Sequence, residues 1–475
     1  MLFKFMLRFS RLFTAGKTGK LVRRNGSDID QNFFYLKSKN PENKLTTPCY
    51  MYGMFLFLSL WMGACDWQPF GVEDPPSPEN TIYSTPVHKD IIGPGSGIRP
   101  GRNGDIYIVK NLNKNGSGSL RYGVETARGP RTILFAVSGK IRDRNPLVIK
   151  ANNLRIAGMT APWPGIVYEG SVRIRGNNVM MEYMTVLVGN STSEPEDALT
   201  IFGNGSYVFY RCLFGWSRDE SLGIVNQIHG VTFKHCIISE SLNLRNHAFS
   251  GLFHAKRGRV LLDGNLFSHH TGRMPMSRIE ELYIANNIFY DRKKRFIELY
   301  NQDGLRTKNV IVDNIFEEGP SRPDLLSARV IHSNKSSLYK GTKVYVDGNQ
   351  WSDYDELFQN PKEEYRAFTS NFPSGDFSAG QSLFSIKGRD RMHVQNTEDY
   401  VLANAGPFPG KRFKIAQRIV NQYVQRKGRV ITSPSQIGGI PNVPEYRHSF
   451  ELPSYPHKLQ DNGYTRLENW LAAYY

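Results

Sequence analysis

The chain has 475 residues, 40% of them hydrophobic and 12% aromatic, so it can bury a large core and is not a disordered polymer. Its formal charge of +17 favours an anionic partner such as nucleic acid, anionic lipid or acidic polysaccharide. No zinc finger, helix-turn-helix pattern, RNA-binding aromatic signature, GxxxxGK[ST] loop or strand-coupled GxGxxG is present, which argues against nucleic acid and against nucleotide chemistry.

The N-terminus is unlike the rest. Residues 1–65 hold ten Lys/Arg and three Asp/Glu, leaving +10 for the remainder. Residues 1–50, with Arg8, Arg11, Lys17, Lys20, Arg23 and Arg24, form a doubtful upstream extension, and Met51 or Met54 is the expected initiator. Residues 51–65 follow as a signal segment. The apolar run from Tyr50 to Ala64 barely crosses a bilayer, which suits a secretory core better than a permanent span. It ends in Met62-Gly63-Ala64-Cys65, similar to a bacterial lipoprotein cleavage box, so a lipid on Cys65 is the one membrane attachment expected. Residues 66–90, with Pro75, Pro76 and Pro78, make a linker. The other cysteines, Cys49, Cys212 and Cys236, are too few and too scattered for a disulfide framework or a zinc site.

From residue 91 a loose repeat sets in. Val208–Phe214, Thr232–Ile238, Leu261–Phe267, Tyr283–Phe289, Val310–Phe316 and Val344–Trp351 share apolar alternation, then a small polar anchor, then another apolar pair. The anchors are Cys212, Cys236, Asn265, Asn287, Asn314 and Asn349. Short strands turning a corner at intervals of a few tens of residues, with no helical pattern between them, predict a solenoid of β-coils. Stacking such coils about 4.8 Å apart aligns the anchors as an internal ladder of side-chain amides. Cys212 and Cys236 fall on the same ladder, as stacked thiols in preference to a disulfide. The β-helix is expected over 91–360, and 361–475 as an extension packed on it.

Within the repeats, Phe267-Ser268-His269-His270-Thr271-Gly272-Arg273-Met274-Pro275-Met276-Ser277-Arg278 stands apart as a strand end and turn. Pro275 stiffens the turn and aims two guanidinium groups. Alone, this could be a basic surface turn held by salt bridges.

Its context is more specific. Gly116-Ser117-Gly118-Ser119-Leu120-Arg121, Arg131 to Ile141, Leu154 to Pro162, Glu196-Asp197-Ala198-Leu199, Trp216-Ser217-Arg218-Asp219-Glu220 and Ile238 to Asn243 occur in one order and spacing. By these motifs the chain resembles the pectate lyases of polysaccharide lyase family 1, particularly the bacterial lipoprotein-type members, from residue 91 to near the C-terminus. The resemblance implies an all-β, right-handed single-stranded parallel β-helix with a substrate groove along one outer face and short C-terminal helices.

It also implies roles. In Arg-x-Pro-x-x-Arg, Arg273 becomes the catalytic base and Arg278 the holder of a substrate carboxylate. The base removes the C5 proton, α to the uronate carboxylate, and the glycosidic oxygen leaves C4. That proton is weakly acidic, so positive charge must neutralise the developing carbanion. A guanidinium base conflicts with its very high pKa; a crowded cationic groove and a bound metal would lower its proton affinity, and an alkaline optimum follows. Calcium is the implied metal. Asp197 and Asp219 fall on ligand positions with Glu196 and Glu220 adjacent, whereas Pro195 and Gly223 occupy two further positions and supply no carboxylate. Weaker or substrate-dependent calcium binding is therefore expected. Asp197 and Asp219 could equally be corner carboxylates capping backbone N–H groups. Arg245, His247 and Lys256 compete for the position of a substrate-binding lysine. His270, with His269, either binds sugar hydroxyls or packs the turn.

Towards the C-terminus, Phe413, Ile415, Ile419, Tyr423 and Val424 mark one side of a helix ending at Gly428. Arg412, Lys414, Arg418, Arg426 and Lys427 give it a basic, solvated face. A second helix begins at Thr465, with Glu468 completing a capping box. Trp470, Leu471, Tyr474 and Tyr475 are expected to cover the β-helix or its open end. The whole predicts a monomeric lyase for polygalacturonate-like acidic polysaccharide, secreted, periplasmic or an outer-membrane lipoprotein of a Gram-negative bacterium. The alternatives are a lyase for a different polyuronate and a non-catalytic acidic-glycan binder on the same scaffold.

Overall fold

The computed structural model describes residues 91–475 except 256, 302–304, 323–328, 334–340, 355–356 and 371–381. The extension 1–50, the signal segment 51–65 with Cys65, the linker 66–90 and Lys256 lie outside the described residues.

The strands come in threes. Arg131–Phe135 is followed by Gly139–Arg142 and Leu147–Ile149, and the next strand, Leu154–Ala157, lies parallel to the first with Leu154 beside Arg131. Every later strand likewise pairs with the one three places on, giving parallel sheets of ten, nine and nine strands among the described residues. The chain is therefore a right-handed parallel β-helix with three walls. Alternation sends every second residue inward: Phe209, Phe233, Leu262, Ile284, Ile311 and Val346 are successive neighbours across the first sheet, and all are fully buried. In-register stacking also places like on like, with the rings of Phe267 and Phe289, and of Phe289 and Phe316, 4.9 Å apart.

The corner from the first sheet to the second carries the predicted ladder. Nδ2 of Asn265 donates to Oδ1 of Asn287 at 2.9 Å, Asn287 to Asn314 at 3.0 Å and Asn314 to Asn349 at 2.8 Å. Each Oδ1 also accepts the backbone N–H of the ladder residue one coil earlier, beginning with Cys236 onto Asn265 at 2.8 Å. The residue before each anchor turns the corner in the left-handed region, with φ between 51° and 70° at Arg211, His235, Gly264, Asn286, Asp313 and Gly348. Cys212 and Cys236 are free, buried thiols, their Sγ atoms 3.4 Å from the carbonyls of Met181 and Phe209.

Helices close both ends of the solenoid. At the first, Leu120–Glu125 drops Leu120 and Val124 into the core, and Arg121 clamps Asp143 at 2.6 Å. The Gly-Ser-Leu-Arg motif is thus an end cap. At the other, Pro361–Phe368 buries Tyr365 and Phe368, while Oε1 of Glu364 accepts from Nδ2 of Asn349 at 2.6 Å and finishes the ladder.

Burial pushes the Glu364 carboxyl up to about 7, opposed by those Asn349 donors. Folded Glu364 therefore holds its proton where the unfolded carboxyl has lost it, so its contribution to stability is full below its ordinary pKa and declines as pH rises to about 7. Glu364→Gln keeps an acceptor for Asn349 without the charge. Its denaturation midpoint should match wild type near pH 4 and exceed it at pH 8, read from urea unfolding at both values.

The C-terminal segment covers two walls from outside. Val401, Phe413, Ile415, Ile419, Val420 and Tyr423 pack on the outer face of the second sheet, against Leu187, Leu213, Ile237, Leu266 and Ile288. Leu467, Trp470 and Leu471 pack on the first sheet, against Leu134, Met180 and Val208. The helices span Lys414–Val424 and Arg466–Ala472, the second with its Thr465–Glu468 capping box. Two expectations shift. Val424 is 52% exposed and Val420 takes its place in the seam. The basic face is only partly solvated: Arg418 clamps Glu240, Arg426 pairs with Glu317 at 3.2 Å and Arg412 donates to the carbonyls of Ala405 and Leu402. Among the described residues no comparable apolar layer lies over the third sheet. Its outward column runs Arg173, Thr200, Gly223, Leu252, Met276, Glu298, His332 and Ser370.

Candidate active site

The open wall concentrates chemistry where register aligns four coils. Glu220 begins the strand Glu220–Ile224 and lies beside Phe249, which bridges to Gly272, next to Arg273. Residues 53 apart in sequence thereby meet: the Arg273 guanidinium forms an ion pair with Glu220 and sits 3.9 Å from the centre of the Phe249 ring. Its side chain is 23% exposed, so it forms part of the wall yet reaches solvent. Arg273 has φ 54°, a left-handed conformation that a non-glycine residue adopts only when its surroundings hold it there.

The acids gather one coil below. Asp197 accepts the Glu220 backbone N–H at 3.1 Å and the Thr200 hydroxyl at 2.9 Å, so its capping expectation is met, and it also lies close enough to Asp219 to feel its charge. Burial, then Asp219 and Glu196, pushes the Asp197 carboxyl up to about 7. Glu220 is pushed up to about 8 by burial, then by Asp219 and Asp197, with Arg273 opposing. Gly223 has a positive function here. A methyl group at this position would lie 2.3 Å from Oδ2 of Asp197, so the residue that supplies no carboxylate makes room for one. Glu196 points elsewhere, held by Arg173 at 2.5 Å.

Asp219 takes Nε2 of His247 at 2.5 Å, and the same nitrogen is 4.0 Å from Oε1 of Glu220. Asp219, Glu220 and His247 thus offer ligand atoms within 4.8 Å of one another. Asp219 and His247 border a groove of about 750 Å³ lined also by Ser193, Pro195, Arg218 and Arg245 among others. Arg245 lies exposed on its rim, and Lys293 reaches the neighbouring Asn246 at 3.4 Å.

Arg278 sits deeper, 5% exposed, its Nε donating to the carbonyl of His254 at 3.2 Å. Tyr300 bonds Nδ1 of His254 at 3.1 Å; burial pushes its phenol up to about 12 while Arg278 and Arg273 both pull it down. One phenol therefore feels both guanidinium groups. His270 does not reach the groove. It is fully buried, Nε2 against the carbonyl of Ile238 at 3.1 Å, and burial drives its pKa down to about 3. His269, also buried, bonds Asp291 at 2.7 Å. Both histidines end the strand Leu266–His270 of the second sheet, before the corner that carries Arg273 onto the open wall.

Phe249, Thr200, His254 and Tyr300 escaped sequence reasoning. Their signal lies in register, since Phe249 follows Glu220 by one coil of 29 residues, and coil lengths vary too much to assign before the strands are placed.

Residues 164–351 match the family model described as right handed beta helix region. The chain is 31% identical over 294 residues to a protein named "Probable pectate lyase C" of Aspergillus flavus, covering 58% of this chain and 68% of that one. It is 30% identical over 232 residues to the protein of that name in Aspergillus fumigatus, covering 48% of this chain and 53% of the other, so the chain spans about half the length of that relative. Among solved structures, jun a 1, the major allergen from cedar pollen, superimposes with a TM-score of 0.50 at 15% identity, covering 67% of this chain and 92% of that one, a likeness of fold.

Proposed function

The chain belongs to the pectate lyase family, and from that membership we propose that it cleaves polygalacturonate-type acidic glycan by β-elimination with Arg273 as base. The observation that carries this reading is the Arg273 guanidinium, braced by Glu220 and Phe249 on the third wall, which no apolar layer covers among the described residues, and next to an acidic cluster. In the step, Arg273 takes the C5 proton, the freed electron pair forms the C4–C5 double bond, and the C4–oxygen bond breaks. The leaving oxygen is protonated by solvent. Arg278 and the rim cations Arg245 and Arg218 hold uronate carboxylates, with bidentate guanidinium geometry suited to the task.

Asp219 and Glu220, with Asp197 behind them, are the residues that would hold a divalent cation, calcium by family resemblance, which supplies positive charge to the substrate carboxylate. A guanidinium can act as a base only once it has lost a proton, which high pH favours. An alkaline optimum follows. Secretion and a lipid on Cys65 complete the proposal, since the polymer is too large to enter a cell intact. The lipoprotein reading rests on Met62-Gly63-Ala64-Cys65, and the relatives above are fungal. The enzyme is expected to act as a monomer.

Purified protein incubated with polygalacturonate should release unsaturated uronate, seen as rising ultraviolet absorbance. Other polyuronates tested in parallel identify the preferred glycan. Products without the double bond would mean hydrolysis, and retention of the polymer with no product would mean a binding protein.

A further inference from the structure

We propose that the outer face of the helix Lys414–Val424, which packs on the second wall, is a second binding site for acidic polysaccharide, apart from the wall that carries Arg273. The choice of polyuronate as partner rests on the lyase reading; the site itself rests on other residues.

Three observations carry it. The first is charge of a single sign. Tyr400 to Pro444 holds seven Lys/Arg and no Asp/Glu, whereas an ordinary surface intersperses both signs. Arg418 and Arg426 are tied to Glu240 and Glu317, but Lys414 and Lys427 are exposed and form no ion pair among the described residues. The second is the lining. Lys414, Gln417, Asn421, Gln422, Gln425 and Lys427 border a groove of about 530 Å³ that reaches Gly428. Spacings of three and four residues put the carboxamides on one side of the helix, and Nε2 of Gln417 donates to Oδ1 of Asn421 at 2.8 Å, which holds that pair in line. Carboxamides offer sugar hydroxyls both a donor and an acceptor, and ammonium groups match uronate carboxylates. Among the described residues no apolar side chain lines the groove, so a lipid surface gains little from it.

The third is an unused nitrogen under the groove floor. His269 is fully buried, its Nδ1 bonded to Asp291, and its Nε2 has no hydrogen-bond partner among the described residues. With Nδ1 donating to the carboxylate, the neutral imidazole presents Nε2 as an acceptor. A methyl group on Gly428 would lie 2.6 Å from that nitrogen and 3.0 Å from Cδ of Gln422. Glycine therefore lets the imidazole come up to the floor, with the Gln422 carboxamide beside it. A buried polar atom left unpaired is unfavourable, and a sugar hydroxyl entering as Gln422 turns aside would complete it. His269 also lies on the strand Leu266–His270, one corner before Arg273, so one long polymer can engage both sites. Holding a chain at two places raises its effective affinity without changing the chemical step.

The test measures binding to immobilised polygalacturonate by the full chain carrying Arg273→Ala, so that the polymer is held and not cut. Adding Lys414→Glu with Lys427→Glu should weaken binding ~10-fold, two exposed charges being reversed. Lys362→Glu with Lys458→Glu, at exposed lysines elsewhere, should change it by less than about twofold. With Arg273 restored, the groove pair should raise KM for the polymer and leave kcat, and both constants for a galacturonate trimer, as in wild type. In protein carrying nitrogen-labelled histidine, the Nε2 signal of His269 should shift on adding a long galacturonate oligomer, and stay put in the groove variant. Unfolding midpoints of both lysine pairs near wild type show the fold intact. No binding to the polymer, equal loss from both lysine pairs, an unmoved His269 signal, or tighter binding to anionic phospholipid vesicles than to polygalacturonate overturns the inference. A chain that holds the polymer through the groove yet yields no unsaturated product sinks the lyase reading alone, while a lyase whose binding and polymer KM ignore the groove pair sinks this site alone.

Discussion

Arg273→Ala should lower kcat on polygalacturonate by ~10²–10⁴-fold, the usual worth of a positioned acid–base group, with KM changing far less. The side chain is placed for a chemical role because its guanidinium is partly exposed and held from two sides, by Glu220 and by the Phe249 ring. Removal also has a structural consequence. Glu220 is 4% exposed, and without Arg273 its carboxyl is buried with Asp219 and Asp197 as near neighbours, so it will keep its proton to still higher pH. Arg273→Lys separates the two effects: it keeps a cation on Glu220 but gives up the planar fork and the stacked ring. If Arg273→Lys folds normally and retains the kcat of wild type, charge on the wall suffices and the guanidinium is not the base. If both variants lose activity while their unfolding midpoints stay near wild type, the chemical role stands. A fall confined to KM would move Arg273 to substrate binding.

Legibility in the sequence followed the degree of local repetition. Asn265, Asn287, Asn314 and Asn349 were found because each recurs at one place in a coil, and the structure joins them amide to amide. The Thr465–Glu468 box was equally local, being a contact across three residues. What failed was what only the wound solenoid decides. His269 and His270 look like neighbours of Arg273 in sequence, yet a corner lies between them, leaving the histidines in the second wall and the arginine in the third. Gly223 appeared to be a missing ligand, and only the parallel register with Thr200 shows that its lack of a side chain accommodates Asp197. Arg418 looked solvated because its partner, Glu240, is 178 residues away. The open wall itself is invisible in sequence, because every strand in all three sheets is apolar inward. What distinguishes the third is that the C-terminal helices cover the other two.

Asn287→Ala should produce a loss of stability as large as that of any single substitution on the ladder. Its side chain accepts the N–H and Nδ2 of Asn265, both at 2.9 Å, and donates to Asn314 and to the carbonyls of Leu262 and Ala285. Alanine supplies none of these, and the site is fully buried, so no bulk water replaces them. With at least two groups left unsatisfied, at about 1–3 kcal/mol each, the loss is on the order of 3 kcal/mol or more. It will be local at first, since each coil touches only its neighbours and unfolding need not be all-or-none. Amide exchange at Asn265 and Leu266 should accelerate before that of Val346, and the urea midpoint should fall. Activity per folded molecule, measured well below the midpoint, should stay close to wild type, because Asn287 lies in the first corner of its coil and Arg273 on the far wall. A midpoint unchanged within about 0.5 kcal/mol of stability, the scatter of an ordinary surface substitution, would mean that the stacked amides merely fill the corner and that hydrophobic packing of Phe267, Phe289 and Phe316 alone holds the coils in register.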